Sequence, residues 1–305
     1  MDLALVRDGW LPLLKQWVLT DKERLPEVIT RISGPTTAGI VFGVGATSAR
    51  LEADRKTQLN LRRIATLVLA AADDAFVAEL PAIFDKLVEL LGATLISSPS
   101  SATRADVYMV IRALVLKNSP IHLAMSWPVV NAELHAAISS VVAPDHSKAS
   151  DMYLNSGIIQ ACKLLDLLIC VAPDDFQLHE WLFITDTIEA VYRSSTYKPV
   201  ALVDEISEEL GSSSADALLQ PNTEALVAAS GPHRRPLLGR KGGISDEVSL
   251  ERKDELIVKV LRPFFAQLSI FAFESTYAMG TVDRNECIEA LLKDLFDEKS
   301  MIKAL

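Results

Sequence analysis

The chain has 305 residues, 50% of them hydrophobic, and a formal net charge of -10. That apolar content can bury a sizeable core and excludes global disorder. The acidic balance argues against nucleic-acid binding, which needs a basic footprint.

Trp10, Leu13, Leu14, Trp17 and Val18 recur at helical spacing, and Leu25, Val28, Ile29 and Ile32 do so in the next element. Gly34 to Gly45, with four glycines and Pro35, reads as a loop. A helix follows from about Leu51 to Ala72, with Leu61, Ile64, Leu67 and Val68 on one face. Leu80, Ile83, Phe84, Leu87 and Leu91 form one stripe, with Pro81 in its first turn, and this stripe is expected in the core. After a Ser/Pro loop from Ser97 to Ser101, Val107, Val110, Ile111, Leu114 and Val115 make the next stripe. Pro120 and Pro128 punctuate the element that continues through Val130, Leu134 and Ile138.

Tyr153 to Val171 is a long apolar helix with Pro173 just beyond it. Phe176 to Tyr192 reads as two shorter helices and Val200 to Leu210 as another. Gly, Ser and Pro cluster from Gly211 to Ser249, which is expected to be a mobile, protease-sensitive loop. Leu250 to Met279 is helical despite Pro263, and Ile288 to Phe296 closes the series. No strand pattern is convincing. The sequence therefore predicts an all-α fold, an irregular HEAT/armadillo-like helical-repeat solenoid, with residues 1–305 as a single region.

Chemistry is sparse. No G-x-S-x-G, H-E-x-x-H or G-x-x-x-x-G-K-[ST] pattern occurs. Gly43-Val44-Gly45 lacks the third glycine and the strand–helix setting of a dinucleotide loop. His179-Glu180 has no second histidine at metal-binding spacing. Asp73-Asp74 and Asp174-Asp175 sit at helix boundaries, where capping and the helix dipole explain them. Cys162, Cys170 and Cys287 form no C-x-x-C pair; Cys162 and Cys170, in apolar surroundings, read as small buried hydrophobes, which suits a reducing compartment. The best apolar stretch, Leu164 to Ala172, is interrupted by Asp166 and too short to span a bilayer. No catalytic residue, cofactor site or metal site is expected, and the chain is expected not to be an enzyme.

Charge clusters are the remaining candidates. Asp204, Glu205, Glu208, Glu209 and Asp216 form an acidic patch. Arg50, Arg55, Lys56, Arg62 and Arg63 form a basic group on the helix after the first glycine-rich loop. Arg234 and Arg235, after His233, form a second group with Arg240 and Lys241. The ordinary reading of each is a solvated face; the functional reading of the basic groups is contact with acidic lipid headgroups or an acidic partner.

Several ordered segments carry a family resemblance. They are Leu61-Arg62-Arg63-Ile64-Ala65 through Leu80-Pro81-Ala82-Ile83-Phe84, then Ile111-Arg112-Ala113-Leu114, then Ser119-Pro120-Ile121-His122-Leu123 with Trp127-Pro128. Ala161-Cys162-Lys163-Leu164-Leu165-Asp166-Leu167, Phe176-Gln177-Leu178-His179-Glu180-Trp181, and the stretch from Arg262-Pro263-Phe264-Phe265 to Asp294-Leu295-Phe296 complete the set. Together they resemble the C-terminal region of the Dopey family. The resemblance implies a fragment of a larger, non-catalytic scaffold or adaptor in endosome-to-Golgi vesicle traffic, peripheral on the cytosolic face of Golgi and endosomal membranes. It implies as partners a large helical-repeat scaffold related to Arf exchange factors and an aminophospholipid flippase. For some members it also implies kinesin and phosphoinositides. The alternative reading is a peripheral module that binds acidic phospholipids through the basic residues above.

Overall fold

The structure is a computed structural model describing residues 2–21, 23–32, 46–92, 99–143, 152–184, 201–211, 227–229, 233–239, 241–277 and 280–304. Its helices of seven residues or more, among the described residues, are α1 (Leu11–Thr20), α2 (Arg24–Thr30), α3 (Ala46–Ala70), α4 (Leu80–Leu91), α5 (Ser101–Lys117), α6 (Trp127–Ser139), α7 (Asn155–Val171), α8 (Leu202–Glu209), α9 (Arg262–Tyr277), α10 (Arg284–Leu295) and α11 (Glu298–Ala304). Among the described residues the only sheet is the two-residue parallel pair β1 (His233–Arg234) and β2 (Thr281–Val282). The fold is all-α. Packing divides it into two compact units, Met1–Val129 with Ile288–Leu305, and Val130–Cys287.

Two π-helical turns have one cause. Val6–Trp10 precedes Pro12, and Ile257–Leu261 precedes Pro263. A proline removes its own N–H and crowds the carbonyl four residues back, so the preceding turn widens and the helix continues.

In the first unit α3 packs against α5, and α1, α2 and α11 also pack on α3. Leu61, Ile64, Ala65 and Val68 of α3 are buried, as are Val107, Val110, Ile111 and Leu114 of α5. The Ser100 hydroxyl caps α5 by accepting from the Thr103 amide. In α4 the buried set is Leu80, Ile83, Leu87 and Leu90, a three-four-three spacing. Phe84 and Leu91, expected on the buried stripe, are only partly covered. The acidic pair before α4 does not cap it. Asp74, at φ 58°, accepts from the Ser119 amide at 2.7 Å and its hydroxyl at 2.5 Å, while Asp73 pairs with Lys117 at 2.6 Å.

The second unit is organised by α7, buried from Gly157 to Cys170 and apolar almost all round, the pattern of a central helix. The segment expected to be a loop from Gly211 to Ser249 has firm anchors here. Leu237, Leu238 and Ile244 are buried, and Asp166 of α7, fully buried, accepts from the amides of Leu237 at 2.9 Å and Leu238 at 2.7 Å. Lys163 pairs with Asp246 at 2.6 Å, and the Asn155 side-chain Nδ2 donates to the Leu250 carbonyl at 2.7 Å. Gly242 permits this tight path, because a Cβ there would stand 2.2 Å from the carbonyl oxygens of both Pro236 and Leu237. Residues 212–226, 230–232 and Arg240 lie outside the described residues.

Lys253–Tyr277 is long and apolar enough to cross a bilayer by length and composition, a feature that the shorter stretch Leu164 to Ala172 did not reveal. Leu256, Val260, Leu261, Phe264, Phe265, Leu268 and Phe271 of this run are buried within the protein, as in a core helix.

Removing the Asp166 carboxylate strands two buried amides, each of which costs about 1–3 kcal/mol unmade. Asp166→Ala is therefore expected to destabilise the second unit by about 3 kcal/mol, read as a lower urea midpoint. A midpoint equal to that of the parent chain would contradict the anchoring.

Candidate functional site

The basic residues do not form one surface. On α3, Arg50, Arg55, Lys56 and Arg63 are exposed. Lys56 pairs with Glu52 at 2.7 Å and Arg63 donates to Asn60 Oδ1 at 3.0 Å, contacts that contribute little at an exposed helix face. Arg62 faces inward. Its guanidinium meets Asp106 of α5 at 3.0–3.2 Å and donates to the Leu295 carbonyl at 3.0 Å and the Ser300 hydroxyl at 3.1 Å. Arg62 is thus a structural clamp on α5 and the C-terminal helices, not a surface cation. A second buried pair, Arg112 with Asp294 at 2.6 Å, ties α5 to α10 within the same unit.

Burial pushes the Asp106 carboxyl up to about 6, although Arg62 opposes the shift by charge and hydrogen bonding.

The second basic group is also divided. Arg234 is half-buried and donates to the Ser275 carbonyl at 2.5 Å. Arg235 is likewise half-buried, with its amide bonded to the Ala228 carbonyl. Lys241 is exposed and pairs with Glu286 at 2.5 Å. Arg240 falls outside the described residues, as do Asp216 of the acidic patch and Gly43-Val44-Gly45.

All three cysteines are buried free thiols. Burial pushes the Cys162 thiol up; a hydrogen bond to Cys287, together with burial, raises that of Cys170. A protonated, buried thiol is a poor nucleophile and a poor metal ligand. Among the described residues no cluster of three or more His, Cys, Asp or Glu could hold a metal ion.

Periodicity picked out the apolar row at the N-terminus but did not show that part of it is exposed. Trp10, Leu13 and Trp17 are 53%, 71% and 42% exposed, and their spacing places them on one face of the N-terminal helical run. Leu11 is the buried residue of α1, and Val6 that of the preceding π-turn. The Arg24 guanidinium lies 5.0 Å over the Trp17 ring. In the second unit Leu178 and Trp181 are exposed, and Phe273 meets Tyr277 on the surface in a tilted ring contact, 4.9 Å between centroids. The sequence did carry a signal for the N-terminal ridge, because this segment is apolar on two faces and a helix at the edge of a unit buries only one.

Comparison with known proteins agrees with this frame. The family model for the DOP1 C-terminal region matches residues 1–278. The chain belongs to the DOP1, or Dopey, family. It is 50% identical to protein dop1 of Emericella nidulans over 98% of this chain and 16% of that protein. It is 27% identical to protein DOP1 of Saccharomyces cerevisiae over 94% of this chain and 16% of that protein. Protein pad-1 of Caenorhabditis elegans is 26% identical over 71% of this chain and 9% of its own length. The chain thus spans a small part of the relatives that it matches. No solved structure matches.

Arg62→Ala would leave Asp106 unpaired in the core, an expected loss of about 3–5 kcal/mol at neutral pH. The folded-state value of Asp106 lies above its ordinary 3.8, so protonation favours the folded state, and its ionised form is the destabilising one above about 6. The gap between Arg62→Ala and parent should therefore be smaller at pH 5.5 than at pH 7.5 in urea denaturation. A gap that grows on acidification would contradict this reading.

Proposed function

We propose that this chain is a non-catalytic scaffold or adaptor segment in endosome-to-Golgi vesicle traffic, binding protein partners at the cytosolic face of Golgi and endosomal membranes. The observation that carries the reading is the exposed ridge of Trp10, Leu13 and Trp17, held on a helix whose other face is anchored by Leu11. Exposed large apolar side chains in a row mark interaction sites, and tryptophans supply a large share of binding energy where they are desolvated. The class of partner proposed is the one that the Dopey resemblance implies. A large helical-repeat scaffold related to Arf exchange factors offers grooves between helices that accept such a ridge. An aminophospholipid flippase is a further proposed partner, as is kinesin, to which some members are linked.

The alternative, a peripheral module for acidic phospholipids including phosphoinositides, rests on the exposed Arg50, Arg55, Lys56, Arg63 and Lys241. It has weaker support, because Arg62 is committed to Asp106 and Arg234 to the Ser275 carbonyl. Electrostatic attraction of the remaining cations to a membrane is salt-sensitive.

Replacing Trp10, Leu13 and Trp17 together by Ser should reduce capture of the helical-repeat scaffold more than tenfold, given a loss of about 2 kcal/mol or more at a hot spot. Helical dichroism should be unchanged. Undiminished capture would contradict the proposal. Flotation with phosphoinositide liposomes that is lost on reversing Arg55, Lys56 and Arg63 to Glu, with the fold intact, would favour the lipid reading.

A further inference from the structure

The ridge of Trp10, Leu13 and Trp17 continues across the π-turn that precedes Pro12. An unbroken α-helix would set Leu5 about 140° round the axis from Trp10. The π-turn spends one extra residue, and its bond from the Leu11 amide to the Val6 carbonyl closes five residues into one turn. Val6 and Leu11, five apart, are accordingly both buried, whereas Leu5 and Trp10, also five apart, are both exposed. Leu5 therefore joins the row, which runs about three turns to Trp17.

The row has a gap. Gly9 falls between Leu5 and Leu13, four residues from each, and precedes Trp10. Beyond its adjacent residues and the helix backbone, a Cβ on Gly9 would meet Leu5 Cδ1 at 3.4 Å and nothing else within 4 Å among the described residues. The missing side chain thus leaves an open notch among three large apolar ones. A notch of this kind on a helix receives one side chain of a facing helix, a knob set among about four residues. Its apolar walls leave a polar knob without hydrogen bonds, so they select an aliphatic one. A fluid bilayer offers no fixed side chain to fill it, and a helix that lies on an acidic bilayer is flanked by Lys and Arg. Here the charged residues from 2 to 20 are Asp2, Arg7, Asp8 and Lys15, which sum to zero, and Arg7 is paired with Asp8 and Glu289.

We propose that Leu5, Gly9, Trp10 and Leu13 form a socket for one aliphatic side chain on a helix of the protein partner. This rests on the reading above that the ridge binds a helical-repeat protein. The test is capture of that scaffold by the 305-residue chain and its variants. Gly9→Leu puts a better helix former on an open position, so helical dichroism should show no loss. It fills the socket, and capture should weaken about tenfold, as an overpacked contact does. Leu5→Ser should weaken capture about tenfold as well, through the loss of one apolar wall. Capture unchanged or tightened in Gly9→Leu, or unchanged in Leu5→Ser, would overturn the socket; if replacing Trp10, Leu13 and Trp17 by Ser still abolishes capture, the ridge itself stands. Undiminished capture of that triple variant would overturn both. Flotation with neutral phosphatidylcholine liposomes that Gly9→Leu strengthens would overturn the socket in favour of a lipid-facing ridge.

Discussion

A charged side chain in a helical core must be paired there or it destabilises the fold, and that constraint organises both units. Asp106 of α5 is 1% exposed, and Asp166 of α7 is fully buried. Neither is placed for chemistry. Asp106 is met by Arg62, which also collects the Leu295 carbonyl and Ser300 from the C-terminal part of its unit. Asp166 is met by two backbone amides, which draw the segment from Pro236 to Leu238 onto the central helix. In each case one buried carboxylate fixes segments that apolar packing alone would hold without register. Substituting a single partner is damaging because it leaves the other buried and unmade.

The same economy decides which charges reach the surface. Of the cations that could face a membrane, Arg62 is spent inside its unit, and Arg234 is bonded to the Ser275 carbonyl. Beside the cations that stay exposed, Arg50, Arg55, Lys56, Arg63 and Lys241, the protein presents large apolar side chains: Trp10, Leu13 and Trp17 in one unit, and Leu178 and Trp181 in the other. The chain spans 16% of its fungal relatives, its three thiols are buried, and these exposed apolar side chains are its candidate contact surface. This favours protein contact over lipid contact as the proposed function.

Helix positions were legible because the apolar stripes repeat at 3.6 residues, and α4, α5, α7 and α10 lie where periodicity placed them. Rotation about a helix was less legible. In α4 the expected stripe contained Phe84 and Leu91, whereas Leu90 is the buried residue, because apolar residues on two adjacent faces leave the choice to the neighbouring helices. Composition placed Gly211 to Ser249 in a loop but carried no sign of where its described residues are anchored. Their glycines and serines resemble those of a free loop, but the partner that fixes them, Asp166, lies some seventy residues away along the chain. The Arg62–Asp106 pair was hidden for the same reason, since a basic run on a helix carries no mark of which member turns inward. The family was legible from ordered segments, which no single motif would have supplied.

Native-state hydrogen exchange at Leu237 and Leu238 tests most directly whether buried carboxylates hold the fold together. Both amides donate to Asp166 in a segment that composition alone would leave open. They should exchange as slowly as the interior amides of α7, through the same opening of the second unit. Exchange at the rate of an unprotected loop, with α7 still protected, would contradict the central role given to these buried charges.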